Sequence, residues 1–211
     1  MPYFLILAAS YLLGSIPFGY LLVRIFRGED VRLSGSGNIG ATNVSRKSPA
    51  LGVLTLLLDA LKGTCAVVLA DEVFMRAWPG NIDVSPYPVL SIAALCAILG
   101  HMFPVWLRFR GGKGVATSVG AFALLVPRAT LGAFAIFVVV ALASRYVSLA
   151  SIVAALSLPV FAWFSLRHGT GQALFALLPI AIASALVIVK HHENIRRLLA
   201  GTENRLGSKS K

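Results

Sequence analysis

The sequence predicts an all-α polytopic membrane protein of seven transmembrane helices, two of them short, with the N-terminus outside and the C-terminus cytoplasmic. Composition is the first reason: 57% of the residues are hydrophobic, only 13% are charged and the mean hydropathy is +0.82, well outside the range of water-facing domains. Apolar runs close to the roughly 20 residues that cross a hydrocarbon core are the second. The third is the placement of charge. Nineteen Lys and Arg stand against eight Asp and Glu, a net charge of +11, and much of it lies in loops, where it favours the cytoplasmic side and anionic headgroups. A single membrane domain over residues 1–211 is expected, with the lipid bilayer as its surroundings. Basic residues divided among short loops make no continuous face for nucleic acid.

Residues 3–23 form the first span. It has no basic region before it and no small-residue cleavage site after it, so it is read as a retained span. Gly14, Ser15 and Pro17 predict a kink in it. Arg24, Arg27 and Arg32 follow and mark that end as cytoplasmic. Next comes the polar loop LSGSGNIGATNVSRKS, richer in Gly, Ser, Asn and Thr than a connector needs. Residues 51–70 make the second span, leaving the membrane at Asp71 and Glu72. Within it Asp59 and Lys62 stand three apart and share a helix face, where they can pair. The loop DEVFMRAWPGNIDVSPYP carries three acids against Arg76, as an external loop should, with Trp78 and Tyr87 as interface anchors. Residues 89–107 return to the cytoplasm. Cys65 and Cys96 sit in apolar runs without metal-ligand spacing and read as core residues.

Residues 115–144 decide the topology. One helix of that length would measure about 45 Å against a hydrocarbon core of about 30 Å. Pro127 and Arg128 fall near its middle. Two short helices hinged at Pro127 bring Arg145 back to the cytoplasm; residues 149–166, the loop RHGTGQ and residues 173–189 then complete seven spans. A single helix would make six and place the basic tail KHHENIRRLLAGTENRLGSKSK outside, against the positive-inside rule. The hairpin is therefore preferred.

This topology collects three polar clusters on one membrane face. The first loop offers Ser36, Asn38, Thr42, Asn43 and Arg46 among glycines that can expose main-chain amides as an anion nest. The stretch GHMFPVWLRFRGGKGVATS at 100–118 brings His101, Gly111, Gly112 and Lys113 just before a helix start. Glycines let amides approach an anion, the helix start adds partial positive charge and the lysine adds a full one. The spacing is not that of a Walker A loop. The tail brings His191, Asn194 and Glu203, with NIRRLLAG as a helix at the membrane surface. Together they suit a small phosphorylated anion held beside lipid. Plainer readings stand next to this one. The glycines can form a simple basic turn, His191 and His192 can contact headgroups, and Ser148 can cap the helix that begins near Arg145. Zinc held by His101, His191 and His192 is disfavoured, because adjacent histidines chelate poorly. Ser36 lacks the strand-to-helix elbow of a hydrolase nucleophile.

The segments GSGNIGATNVSR at 35–46, GHMFPVWLRFRGGKGVATS at 100–118 and HHENIRRLLAGTE at 191–203 resemble the three motifs of the bacterial glycerol-3-phosphate acyltransferases that use acyl phosphate, the PlsY family. LDALKG at 58–63 and RYVSLAS at 145–151 extend the resemblance over essentially the whole chain. Arg110 stands where the family usually has a lysine and keeps the charge. The resemblance implies an inner-membrane enzyme that moves a fatty acyl group from acyl phosphate to the sn-1 hydroxyl of glycerol 3-phosphate. The products would be lysophosphatidic acid and phosphate, with neither acyl-CoA, acyl carrier protein, metal nor cofactor, and the active site would face the cytoplasm. Carried over, Ser36, Arg46, Lys113, His191 and Asn194 are the principal site residues, with Ser148, Asn38, Asn43 and Glu203 behind them. Ser36 and Asn194 are expected to orient the acyl phosphate and the developing oxyanion, and Arg46 and Lys113 to hold phosphate. His191 either orients glycerol 3-phosphate or acts as base, unless the substrate's own phosphate takes the proton. A monomer is expected. The rival class is a transporter using the Asp59–Lys62 pair, against which stand the lack of a clear inverted repeat and the one-sided polar clusters. A scaffold that merely binds anionic lipid leaves the glycine-rich loops unexplained.

Overall fold

A computed structural model describes residues 2–77, 79, 85–167 and 171–207. Trp78, residues 80–84 and 168–170, and the tail lysines Lys209 and Lys211 lie outside the described residues. Among the described residues the regular structure is all helical. In order come α1 (Pro2–Gly14), α2 (Phe18–Arg27), α3 (Ala41–Lys47), α4 (Pro49–Ala77), α5 (Tyr87–Met102), α6 (Val115–Leu125), α7 (Pro127–Ser144), α8 (Val147–Leu166), α9 (Leu177–Val189) and α10 (His192–Leu199). Among the described residues five helices, counting α1 with α2, are long and apolar enough to cross a membrane. A sixth is added if the bent α9–α10 segment counts as one span, and α6 is shorter, with 11 residues.

The side chains are sorted as a lipid solvent requires. The interior is lined by small residues such as Ala93, Ala94, Ala97 and Ala183, all fully buried, while Leu142 is 74% and Phe4 74% exposed. Without an apolar driving force between helices, close backbone approach holds them together. Gly14 and Gly100 let α1 meet α5, and Gly63 and Gly120 let α4 meet α6; a Cβ at any of the four would run into a facing carbonyl. Thr64 reinforces the second contact, donating Oγ1 to the carbonyl of Gly120 at 2.9 Å.

Three expectations for the elements are revised or refined. The first span is broken, not just bent: α1 ends at Gly14 and α2 starts at Phe18. The break is held by Trp106 Nε1 donating to Ser15 Oγ at 2.8 Å and Lys62 Nζ donating to the carbonyl of Ile16 at 2.8 Å. The second span runs on past Asp71 and Glu72 to Ala77, since an exposed acid on a helix is no stop signal and Arg76 pairs with Glu72 one turn away. Cys65 is exposed and is not a core residue. A span apolar on all sides has no periodic stripe to tell interior from lipid face. The chain does break at Val126–Pro127, where Val126 leaves helical geometry and Pro127 opens α7.

Candidate functional site

The polar loop after α2 folds around one side chain. Asn43, buried at the start of α3, donates Nδ2 to the carbonyls of Val31 (3.1 Å), Ser34 (3.0 Å) and Asn38 (2.9 Å), while its Oδ1 accepts from the amide of Ser36 (3.0 Å). Gly35 (φ 58°) and Gly37 (φ 67°) flank Ser36 in the left-handed region, which L side chains avoid, so the loop turns sharply and presents Ser36 at its crest. Three of the loop's amides are not open to an anion. Those of Ser36, Gly37 and Gly40 are bonded to Asn43, Ser34 and Asn38. Asn43 organises the loop.

The glycine run after α5 is corrected in the same way. The amide of Gly111 donates to the carbonyl of Met102 (3.2 Å) and that of Gly112 to the carbonyl of His101 (3.0 Å). These glycines lay the strand of backbone on the end of α5 and do not offer amides to a phosphate. Lys113 follows directly and points its Nζ at Asn194 Oδ1. Asn194 Nδ2 donates to Glu203 Oε1 (2.6 Å), Ser148 Oγ donates to the same oxygen (2.8 Å), and Arg197 Nε donates to Glu203 Oε2 (2.6 Å). Ser148 is thus a partner of Glu203 and not the cap of α8, whose N-cap is Tyr146. His191 is buried between α9 and α10, with Nδ1 2.7 Å from the carbonyl of Val187. A carbonyl partner requires the proton on Nδ1, which leaves Nε2 as an acceptor.

Ser36, Asn38, Asn43, Arg46, Lys113, Ser148, His191, Asn194 and Glu203 all line one cleft of about 270 Å³; Gly111 and Gly112 do not. Apolar side chains line it as well, Leu56 of α4, Val115 of α6, Phe137 of α7 and Val147 of α8. Arg197 and residues 204–207 line it too, a part of the wall the sequence did not point to. The chain after α10 doubles back: the amide of Leu206 donates to the carbonyl of Arg145 (2.7 Å) and Arg145 Nη2 to the carbonyl of Leu206 (3.0 Å). A fold-back of that kind leaves no periodic signal, although Asn194 and Arg197 do lie three apart on one helix face.

Burial sets the charges. It lowers the Lys113 ammonium to about 8, against the opposing pull of Glu203. Burial and then the Lys113 charge bring His191 down to about 4, so its imidazole is neutral. Burial pushes the Glu203 carboxyl up, but hydrogen bonds from Asn194, Arg197 and Ser148 outweigh it and hold the group below its ordinary value. Among the described residues no three His, Cys, Asp or Glu side chains converge as a metal site. His101 stands beside Asp59, and His192 is exposed with Nδ1 3.0 Å from the carbonyl of Val189.

Comparison with known proteins places the chain in a family. The family model described as glycerol-3-phosphate acyltransferase matches residues 4–201. A glycerol-3-phosphate acyltransferase of Syntrophotalea carbinolica is 46% identical over 96% of this chain and 97% of its own length, and one of Nitrobacter winogradskyi is 48% identical over 96% and 95%. Among solved structures, the crystal structure of PlsY (YgiH), an integral membrane glycerol 3-phosphate acyltransferase, in its glycerol 3-phosphate form superposes with a TM-score of 0.84. The two are 39% identical, over 98% of this chain and 96% of that one. The lysophosphatidic acid form of PlsY gives 0.81 at 38% identity over the same shares. The chain therefore belongs to the glycerol-3-phosphate acyltransferase family of integral membrane proteins typified by PlsY.

Proposed function

We propose that this protein transfers a fatty acyl group from acyl phosphate to the sn-1 hydroxyl of glycerol 3-phosphate, releasing lysophosphatidic acid and phosphate. Family membership makes it a membrane glycerol-3-phosphate acyltransferase; the donor, the position acylated and the residue roles are our reading. The observation that carries it is the mixed lining of the cleft. Cationic and polar side chains, Arg46, Lys113, Ser36 and Asn194, line it together with the apolar Leu56, Phe137 and Val147. Such a lining suits phosphates and an alkyl chain held in one cleft. The related PlsY structures in glycerol 3-phosphate and lysophosphatidic acid forms fit a cleft that holds acceptor and product in turn.

Acyl phosphate is already activated, so positioning and charge compensation are the main tasks. The acceptor hydroxyl attacks the acyl carbon, the bond from that carbon to the phosphate oxygen breaks, and inorganic phosphate leaves. Arg46 and Lys113 hold the anions against their mutual repulsion, Arg46 by two parallel hydrogen bonds. Asn38 supports this group. Ser36 and Asn194 donate to the acyl phosphate and to the oxyanion that develops. Neutral His191 presents Nε2 to the acceptor hydroxyl and orients it. The proton passes either to His191 or to the phosphate oxygens, with no metal or cofactor needed. Ser148 and Glu203 keep Asn194 aimed.

In the membrane we read seven spans, α1 with α2, then α4, α5, α6, α7, α8 and α9, hinged at Pro127. The basic loops and the cleft then lie on the cytoplasmic face of a bacterial inner membrane. We read residues 1–211 as one domain and a single copy of the chain as the working unit. Purified protein in detergent or lipid mesophase, supplied with acyl phosphate and glycerol 3-phosphate, is expected to form lysophosphatidic acid and phosphate in equal amounts. Product formed only from acyl-CoA would overturn the donor, and solute flux in vesicles without product would favour a transporter. His191→Ala is expected to lower kcat by about 100-fold or more; near-normal kcat would remove His191 from the catalytic group.

A further inference from the structure

Beneath the cleft lies a set of charged groups to which the transfer chemistry assigns no task. Asp59 and Lys62 of α4 are each 2% exposed and pair at 2.8 Å. Lys62 also donates to the carbonyl of Ile16 at 2.8 Å, in the break between α1 and α2. His101, in the last turn of α5, is 4% exposed and sets Nδ1 3.5 Å from Asp59 Oδ1. A pair this dry is poor evidence of added stability, because desolvating both ions offsets their attraction, and ionisable groups inside a membrane mark function by default.

Its position indicates the task. On another side the His101 ring meets Gly112, and a Cβ added there would overlap the imidazole atoms Nε2, Cε1 and Cδ2. The amide of Gly112 is bonded to the carbonyl of His101 itself. The backbone of Gly112 therefore rests on His101, and Lys113 is the next residue. We infer that Lys62, Asp59 and His101 form a positioning device, running from the break in the first span to the seat of Gly112, that sets the height of the Lys113 ammonium in the cleft. Lys62 is anchored by Ile16 and pairs with Asp59, Asp59 stands 3.5 Å from His101 Nδ1 without a hydrogen bond to it, and the His101 ring supports the loop. Asp59 and His101 also border the cleft, but the role assigned here acts through Lys113. The inference rests on the reading of Lys113 as a phosphate-holding group in the proposed transfer.

The full-length enzyme tests it with two variants. Gly112→Ala pushes the loop off its seat and is expected to raise the KM for glycerol 3-phosphate by about tenfold or more, because displacements of an ångström are felt that strongly. Its kcat and Tm are expected to stay close to those of the parent. In the double variant Gly112→Ala with His101→Ala the missing ring makes room for the methyl group, and at least half of the lost affinity, on a logarithmic scale, is expected to return. Calorimetric titration of each protein with glycerol 3-phosphate reads the same comparison without turnover. The inference is overturned if Gly112→Ala leaves KM and Kd unchanged, if it lowers only Tm and kcat, or if the double variant binds no better than the single one. A parent protein that binds glycerol 3-phosphate but forms no lysophosphatidic acid would sink the proposed transfer, and the Kd series would still decide the seat of Gly112.

Discussion

Glu203 joins the polar lining of the cleft. It accepts from Asn194, Ser148 and Arg197 at once, so its loss strands the two buried donors, Asn194 and Ser148, each left unmatched at a cost of about 1–3 kcal/mol. Glu203→Ala is expected to lower kcat/KM for glycerol 3-phosphate by about 100-fold, measured by phosphate release. Lys113 predicts a pH dependence. Its ammonium, lowered to about 8, is charged at neutral pH and is lost as the pH rises through that value. A phosphate monoester takes its second charge near pH 6. The KM for glycerol 3-phosphate should therefore be lowest between about pH 6 and 8 and climb on the alkaline side. Lys113→Arg should flatten the alkaline climb, since a guanidinium stays charged. An alkaline limb that persists in that variant would place the titration elsewhere. His191, lowered to about 4, adds no limb near neutrality.

At the scale of elements, the contact between α4 and α6 ties the membrane core to the site. Gly120 faces the carbonyl of Ala60, Gly63 faces the carbonyl of Thr117, and α6 begins two residues after Lys113. Gly120→Leu is expected to separate the two helices and lower Tm by about 5 °C or more, with a rise in the KM for glycerol 3-phosphate as α6 moves; thermal unfolding in detergent checks the first and kinetics the second. This scale also shows how far the sequence could be read. The break at Pro127, the pairing of Asp59 with Lys62 and the gathering of Ser36, Lys113 and Asn194 follow from residue types whose local effect is strong: proline geometry, i,i+3 spacing and charge in loops. What went unread depends on the fold. Which amides in the glycine loops are already spoken for is settled by the side chain of Asn43 and by the end of α5, both distant from the loops' own composition. The exposure of Cys65 and the return of residues 204–207 to Arg145 likewise carry no periodic trace.

At the scale of the molecule, the proposed topology predicts two faces. In a chain whose Cys65 and Cys96 are replaced by Ala, single cysteines at Arg110 and Arg196 should react with an impermeant thiol reagent from the cytoplasmic side. One at Arg76 should react from the opposite side. Labelling of position 196 from outside would overturn the seven-span reading, whereas the fold and the cleft, which need no membrane orientation, would stand.

The fold-back of Leu206 onto Arg145 has a consequence for synthesis. The ribosome delivers Ser36 to the membrane well before Glu203, and the cleft needs both. Nascent or truncated chains that stop short of this return would be counted in a membrane preparation while lacking a complete cleft. Abundance measured by an antibody to the amino-terminal half would then overstate the capacity of a cell to acylate, and an epitope that requires residues 203–207 would count working molecules instead.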